Sequence, residues 1–493
     1  MKKQYKIPPK PMAPTAQDQA RWEHSGLRHR LLTGVYEEDI YRELYRHLPA
    51  DRVDNQGPAD MSSNPFEQVT RQLAVLYTEP PIVTHEDEQA DISSLVSRKG
   101  YVTRSGLFQM MQRGQQLALG MREVIVKIDV VPHVMGSRPR GAGIQYRIVT
   151  PDFVYCESHP DSPDQPVYYQ ELRLRTSASG EPMWIADVLD IRNEEDPIFG
   201  MYKVEADGSL SSDVSEEFMG HATHRGFGDN GYPYLDGDGV PFLPLEIYRA
   251  EKTGQLWNAY DNAPLLWGSL SSNVLYSMWH HSVLQSAWPQ RYIAGLQLAG
   301  MSGQDLNSTA RRATVTTDPT SVLVFNTDQD MQGQPMIGQF EAGVDPEKLL
   351  TAIAQYEYRV ATAGGISPSE IQRTSGDPRS GYSLSISRQG QREAQRKFSA
   401  VMRAADERVM SKTASLCNRF LGEQLPESGY RVSYQSLPLS PEEMRAIRED
   451  VIQKLNAGLI SPIDAIQMLN PDMDEEEARM KLNQIRRERA EFL

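Results

Sequence analysis

The feature that most constrains how this chain can fold is a long run without a charged side chain, from Asn262 to Gln290. Residues 264–288 open with Pro264, which suits a first helical turn, and predict a helix of about 37 Å at about 1.5 Å per residue. Such a helix needs protein neighbours over most of its surface. Because the run also carries asparagines, histidines and serines, which are costly in hydrocarbon, we expect a protein-covered helix and no membrane span.

Before this run, the pattern predicts an α+β domain with a mostly antiparallel sheet. "NPFEQVTRQLAVLY" (64–77) has helical apolar spacing. Four β-rich runs follow, separated by Pro, Gly and Asp turns: "REVIVKIDVV" (122–131), "IQYRIVTPDFVYC" (144–156), "VYYQELRLR" (167–175) and "MWIADVLDI" (183–191). Residues 206–241 are rich in turn formers and predict a long loop.

After the charge-free helix, a second helix is predicted over 344–365. Asp345 is its N-cap, Pro346 its first residue, and Gly364–Gly365 its end. The two helices therefore bracket an insert of about fifty residues, in which "RYIAGLQL" and "SVLVFN" predict short strands.

A long helix is predicted from about Ser383 to Leu421, ending at Gly422. Its apolar stripe consists of Ala394, Phe398, Val401, Ala405, Val409, Leu416 and Phe420. Its opposite face is basic, with Arg388, Arg392, Arg396, Lys397, Arg403 and Arg408. Three short helices follow, and two of them start at Ser440-Pro441 and Ser461-Pro462.

Motifs that would indicate enzyme chemistry are weak, so we expect no catalytic residue, metal site or cofactor. "GFGDNG" (226–231) matches a dinucleotide fingerprint by letter but lacks the strand before it and the helix after it. "DGDG" (236–239) lacks the later glutamate of a calcium loop. His221 and His224 have no third ligand nearby, and the two cysteines are too far apart for a C-x-x-C site.

The order of the parts resembles that of the portal protein of tailed bacteriophages. "NPFEQVTRQLAVLYTEPP" (64–81) resembles the N-terminal helix of that family. "SGYSLSI" (380–386) resembles the segment that opens its long helix, and "NAGLISPIDAIQMLNPDMDEEEARMKLNQIRRE" (456–488) resembles its C-terminal tail. Residues 206–241 are an insertion that does not align with the family.

The resemblance implies a mixed α/β wing, a two-helix stem, a small α/β clip and a helical crown. The implied bounds are 1–260 for the N-terminal wing, 261–288 and 344–364 for the stem helices, 289–343 for the clip, 365–422 for a tunnel loop with the long wing helix, and 423–493 for the crown. Such subunits form a closed ring of about twelve at one capsid vertex.

The implied function is that of a conduit for double-stranded DNA during packaging and ejection, and not that of an enzyme. The expected partners are the terminase large subunit, a head–tail adaptor, and the major capsid and scaffold proteins. The protein would be found in the virion, and in the host cytoplasm during assembly. A net charge of −15 suits this role, because a conduit must not hold the phosphates that pass through it.

The tunnel loop implied by the resemblance falls on "RTSGDPRSG" (373–381). Arg373 and Arg379 would be its cationic contacts to DNA, and Gly376, Pro378 and Gly381 would set its shape. Ser375 and Asp377 complete the candidate site. An ordinary surface connection remains the alternative for this stretch.

Two other classes of protein remain open. One is a different virion head–tail assembly protein, although adaptors are much shorter and lack a helix–insert–helix unit. The other is a capsid-associated hydrolase whose carboxylates are dispersed along the chain. A large ring in solution would favour the portal, whereas a monomer with metal-dependent activity would favour the hydrolase.

Overall fold

The structure is a computed structural model, and its description is confined to part of the chain. It describes residues 16–50, 53, 58–135, 138–177, 180–215, 232–257, 263–287, 290–294, 322–325, 336–340, 345–365, 389–435, 441–469, 478–483 and 485. The chain divides into two compact units. The first comprises Met1–Gln19, Thr70–Ala259 and Ile366–Leu493, and the second comprises Ala20–Val69 and Tyr260–Gly365.

The fold is α+β, as the sequence predicts. The helices are α1 Ala16–Thr33, α2 Glu37–His47, α3 Pro65–Leu73, α4 Ser93–Val96, α5 Tyr101–Arg104, α6 Leu107–Met121, α7 Ala263–Ala287, α8 Pro346–Ala363, α9 Gln389–Leu421, α10 Pro441–Asn456 and α11 Pro462–Leu469. The strands are β1 Ile82–His85, β2 Glu123–Met135, β3 Arg138–Val149, β4 Val154–Ser158, β5 Pro166–Thr176, β6 Pro182–Asp190, β7 Ile198–Val204, β8 Leu210–Asp213, β9 Leu245–Arg249, β10 Gln290–Ala294, β11 Val322–Phe325, β12 Met336–Phe340 and β13 Tyr430–Ser433.

The strands described in the first unit pair in antiparallel fashion, as predicted, but they form three sheets rather than the single sheet expected from the sequence. One sheet is the meander β4-β5-β6-β7-β8, a second has the order β3-β2-β9, and a third pairs β1 with β13. Helices α6 and α9 pack on the β3-β2-β9 sheet. Apolar residues of this sheet, such as Val124, Ile125 and Ile247, are buried.

The prediction of a loop over 206–241 is wrong at residues 210–213. Residues Leu210–Asp213 form β8, which pairs with β7 through Tyr202↔Asp213 and Val204↔Leu210. All four of its side chains are exposed, so the strand has no alternation of apolar and polar residues that sequence reading could detect. Farther along, Asp236 closes the expected turn by accepting the backbone N–H groups of Asp238 and Val240.

The predicted helix ends of the second unit are confirmed. Asp345 caps α8 by accepting the N–H of Glu347 at 3.0 Å, with Pro346 as the first helical residue. The helix ends at Ala363 with Gly364 as its C-cap, and Gly365 follows with φ +90°, a left-handed conformation that suits glycine. Helix α9 ends in the same way before Gly422, at φ +72°.

Helices α7 and α8 form an antiparallel pair in the second unit. Near one end, Gly268 of α7 lies against Val360 of α8, and farther along α7 the indole N–H of Trp279 donates to the carbonyl of Pro346. The insert between them contains the three-stranded sheet β11-β10-β12, in which β10 is parallel to β11 and antiparallel to β12. The predicted helix–insert–helix order and its short strands are therefore observed.

Gly268 permits the close approach of α7 and α8. A Cβ at this position would lie 2.5 Å from Cγ2 of Val360 and 3.0 Å from its Cγ1. Contacts this short force side chains or helices apart, and inserting a methyl into a packed interface costs about 1–3 kcal/mol. Glycine also lowers helix propensity by about 1 kcal/mol relative to alanine. Close packing therefore outweighs helix propensity at this position.

We predict that Gly268→Ala lowers the free energy of unfolding of the second unit by up to roughly 2 kcal/mol, despite its better helix propensity. Urea unfolding followed by far-UV circular dichroism measures the effect. Ser271→Ala, at an exposed position of the same helix, is the matched control and should change stability by less than about 0.5 kcal/mol. Adding Val360→Ala to Gly268→Ala should recover part of the loss, and simple additivity of the two changes would contradict the close-packing argument.

Candidate functional site

The residues predicted for the tunnel loop lie outside the described residues. These are Arg373, Ser375, Gly376, Asp377, Pro378, Arg379 and Gly381. The flanking helices are described, with α8 ending at Ala363 and α9 beginning at Gln389.

Polar side chains of α7 hold the segment that connects α2 to α3 and the first turn of α3. Ser277 Oγ accepts the N–H of Asp60 at 2.9 Å, and Ser269 Oγ accepts the N–H of Phe66 at 3.2 Å. Between them, the amide of Asn273 donates to the carbonyl of Asp60 at 3.1 Å. The spacing of 269, 273 and 277 places all three on one face of α7. These three side chains of a charge-free helix therefore bond backbone groups of their own unit that are wholly or partly buried.

A second stripe of α7 faces outward and has no charge. It consists of Pro264, Trp267, Ser271, Leu275 and Met278, all exposed or half-buried. Trp267 is 38% exposed. Their spacing of three and four residues makes the stripe continuous along the helix. Depletion of charge combined with aromatic and Met residues is typical of the centre of a protein–protein interface.

Helix α9 carries a buried carboxylate at its centre. Asp406 is fully buried and accepts three tyrosine hydroxyls: that of Tyr248 on Oδ1 at 2.6 Å, and those of Tyr77 and Tyr434 on Oδ2 at 2.9 and 2.6 Å. Tyr248 lies on β9, Tyr77 follows α3, and Tyr434 follows β13. One side chain thus joins α9 to three distant segments of the chain.

Burial raises the pKa of the Asp406 carboxyl to about 6, although the hydrogen bonds from Tyr248, Tyr434 and Tyr77 act to lower it. Desolvation penalises the charged form, and hydrogen bonds to a carboxylate favour it, so the raised pKa means that desolvation dominates. Sequence reading missed Asp406. The available signal was an acid within the apolar stripe, directly after Ala405 and three residues before Val409.

Glu246 of β9 is also buried against α9, but two cations of that helix neutralise its charge. Arg408 Nε donates to Glu246 Oε1 at 2.8 Å, and Lys412 Nζ lies 3.0 Å from Oε2. Burial acts to raise the pKa of Glu246, but Lys412 and Arg408 outweigh it, so the pKa is lowered. Arg408, which the sequence placed on the basic face of the helix, is exposed there and also pairs with Glu246 of the sheet.

A network of charges joins the β3-β2-β9 sheet to the five-stranded sheet. Lys127 of β2 is buried, and its Nζ lies 3.5 Å from Glu171 Oε2 of β5 and 3.6 Å from Asp187 Oδ2 of β6. Arg173 Nε lies 2.9 Å from Glu171 Oε1, and Arg147 Nη2 of β3 donates to Glu171 Oε2 at 2.9 Å. Burial acts to lower the pKa of Lys127, but the carboxylates outweigh it and raise it.

A cleft of about 800 Å³ opens beside α9, between the β4–β5 turn and β9. Its four cations are Arg192, Arg249, Arg408 and Lys412. Arg192 pairs with Glu157 and Asp190, and Arg249 donates to the backbone carbonyls of Asp164 and Leu256. Because Arg408 and Lys412 are held by Glu246, all four cations are already bound within the protein.

The motifs tested for enzyme chemistry lie mainly outside the described residues, including His221, His224 and 226–231. In the part of the chain that the structure describes, no group of three or more His, Cys, Asp or Glu residues is arranged to hold a metal ion. Within the same described ranges, no helix combines the length and apolar character required to cross a bilayer. Both cysteines are buried, and neither forms a disulfide.

Comparison with protein-family models and with curated proteins finds no match to this sequence.

We predict that Lys127→Met destabilises the first unit by about 3–5 kcal/mol, because it leaves Glu171 and Asp187 buried with less compensating charge. Thermal or urea unfolding measures the loss. Lys203→Met is the matched control, since Lys203 pairs with Glu205 at 2.9 Å while both side chains are more than a third exposed. Its cost should stay within about 1 kcal/mol. Equal effects of the two substitutions would show that the buried network does not support the junction of the sheets.

Proposed function

We propose that this chain is the subunit of a portal ring at one vertex of a tailed-phage capsid. The observation that carries the proposal is the α7–insert–α8 unit, in which two packed helices bracket a small β sheet. In the proposed ring, α7 and α8 are the stem, residues 289–343 the clip, α9 a wing helix, and 423–493 the crown. The alternatives are another head–tail assembly protein and a capsid-associated hydrolase.

The outward stripe of α7 supports assembly into a ring. Its polar face is used within its own unit, by Ser269, Asn273 and Ser277, whereas Trp267, Leu275 and Met278 face outward without a charge among them. A monomer gains nothing from excluding charge on a solvent-facing stripe. Contact with a neighbouring copy explains the composition, and in a closed ring each copy has two such neighbours.

The charge of the chain supports the role of a DNA conduit. At −15 per subunit, about twelve copies carry roughly −180, a field that disfavours lasting phosphate contacts. The proposed subunit performs no chemistry of its own. The terminase large subunit would supply the work of packaging and dock on the clip, where a head–tail adaptor would later bind. Scaffold and major capsid proteins would surround the ring in the virion.

We predict that the purified protein forms closed rings of several hundred kilodaltons with a central hole. Electron microscopy with class averaging and native mass measurement test this. A species that remains monomeric at micromolar concentration would contradict the proposal, and metal-dependent hydrolysis by that monomer would favour the hydrolase. Ser271→Arg should prevent ring formation while leaving the circular dichroism spectrum unchanged, because Ser271 is exposed in the stripe. Ser212→Arg on exposed β8 is the control and should assemble normally.

We predict that Arg373→Glu with Arg379→Glu shortens the packaged genome or weakens its retention. The two arginines would make transient phosphate contacts in the channel, each worth little in salt. Gly376 and Gly381 would let the loop change shape as DNA advances. Particles carrying Arg486→Glu with Arg487→Glu are the matched comparison. Wild-type genome lengths in both double variants would make residues 373–381 an ordinary connection.

A further inference from the structure

We infer that Asp406 and the three tyrosines around it form a proton-binding switch, which tightens the first unit when Asp406 is protonated and loosens it when Asp406 is ionised. This inference does not depend on the proposed portal function. It rests on one fully buried carboxylate whose partners are the hydroxyls of Tyr77, Tyr248 and Tyr434.

The surroundings of Asp406 provide hydrogen bonds but no compensating charge. Tyr248 contributes from β9, and Tyr77 and Tyr434 from the segments after α3 and β13. Glu407, next on α9, adds a repelling carboxylate. In the described ranges, no lysine, arginine or histidine forms an ion pair with Asp406. The ionised state is therefore a buried charge that three neutral hydroxyls only partly stabilise.

Two further charges act on the tyrosines of the site. Glu246 of β9 acts to raise the pKa of Tyr248, and Arg403 of α9 acts to lower that of Tyr434. Arg403 is exposed, so solvent screens its influence. Glu246 is itself neutralised by Arg408 and Lys412. Asp406 is therefore the group of this site that changes its charge in mildly acidic solution, by exchanging a proton with solvent.

The cluster can accept the proton without losing its connectivity. Tyr77 and Tyr434 share Oδ2 of Asp406, and their hydroxyl oxygens lie 3.4 Å apart. A proton taken from solvent onto Oδ2 can be donated to the oxygen of Tyr434, whose own hydroxyl hydrogen then turns toward Tyr77. Tyr248 continues to donate to Oδ1. The three segments therefore remain joined to α9 in the neutral state, without a buried charge.

The sign of the effect on stability follows from the direction of the pKa shift. The pKa of Asp406 is raised in the folded protein, from its ordinary 3.8 to about 6. The folded state then holds a proton that the unfolded chain has released, over the window between these two values. The stabilisation from this group is fully present below pH 3.8 and is lost as the pH rises through about 6.

We predict that Asp406→Asn removes this pH dependence. Between pH 4 and pH 7.5, the wild-type unfolding equilibrium should carry a component of about a hundredfold from Asp406, or about 3 kcal/mol, that the variant lacks. Urea unfolding of the full chain across this range measures it. The matched control is Glu246→Gln. Because the pKa of Glu246 is lowered, this control should remove a component of opposite sign, one that stabilises the wild type as pH rises.

Infrared difference spectroscopy of the folded full chain gives a second, independent readout. Wild type should show a buried protonated-carboxyl band at pH 5 that disappears by pH 7.5, and Asp406→Asn should lack it. Tyr434→Phe removes a hydrogen bond that favours the ionised form, so the band should persist to higher pH. Identical pH profiles in wild type and Asp406→Asn, or a band unmoved by Tyr434→Phe, would overturn the inference, even if the rings form normally.

Discussion

The first unit depends on how the buried face of α9 meets the strands packed against it. Strands β2, β3, β9 and β13 all contact this helix, so an error in its position would disturb two sheets at once. Polar anchors within that face fix its register. The hydroxyl oxygens of Tyr146 and Thr413 are hydrogen-bonded at 3.0 Å, and Glu246 forms an ion pair with Arg408 of the helix. Apolar burial supplies the stability, and these bonds select one alignment.

The buried carboxylates of this unit lie in two different kinds of environment. Glu246 and Glu171 are matched by cations on neighbouring elements, so the ionised form is kept and links one element to another. Asp406 has hydroxyl donors and, among the described residues, no cation paired with it, so its charge remains costly. The difference is physical. A paired carboxylate fixes a junction at every ordinary pH, whereas one surrounded by hydroxyls fixes it most firmly when it carries a proton.

In the second unit, the long helix α7 carries no charge, yet the backbone groups packed against it need hydrogen-bond partners. Helix α7 provides these partners through Ser269, Asn273 and Ser277, which bond the segment before α3 and its first turn, and it uses Gly268 to admit α8. Its remaining stripe is free of charge. In the proposed ring, neighbouring copies would cover this stripe, and the acidic surface of the assembly would keep DNA moving rather than bound.

Local rules in the sequence determined the fold class, the helix pair around a β insert, and most helix ends. The roles of Asp345, Gly365 and Gly422 depend on hydrogen bonds and backbone angles within a few residues. They can therefore be predicted from the local sequence. The tertiary structure alone decided which charges are buried. Asp406 and Lys127 read as ordinary polar residues, because the groups that surround them, such as Tyr77 and Asp187, lie far away in sequence. Only folding brings these groups together, and their distances and desolvation set the chemistry of each site.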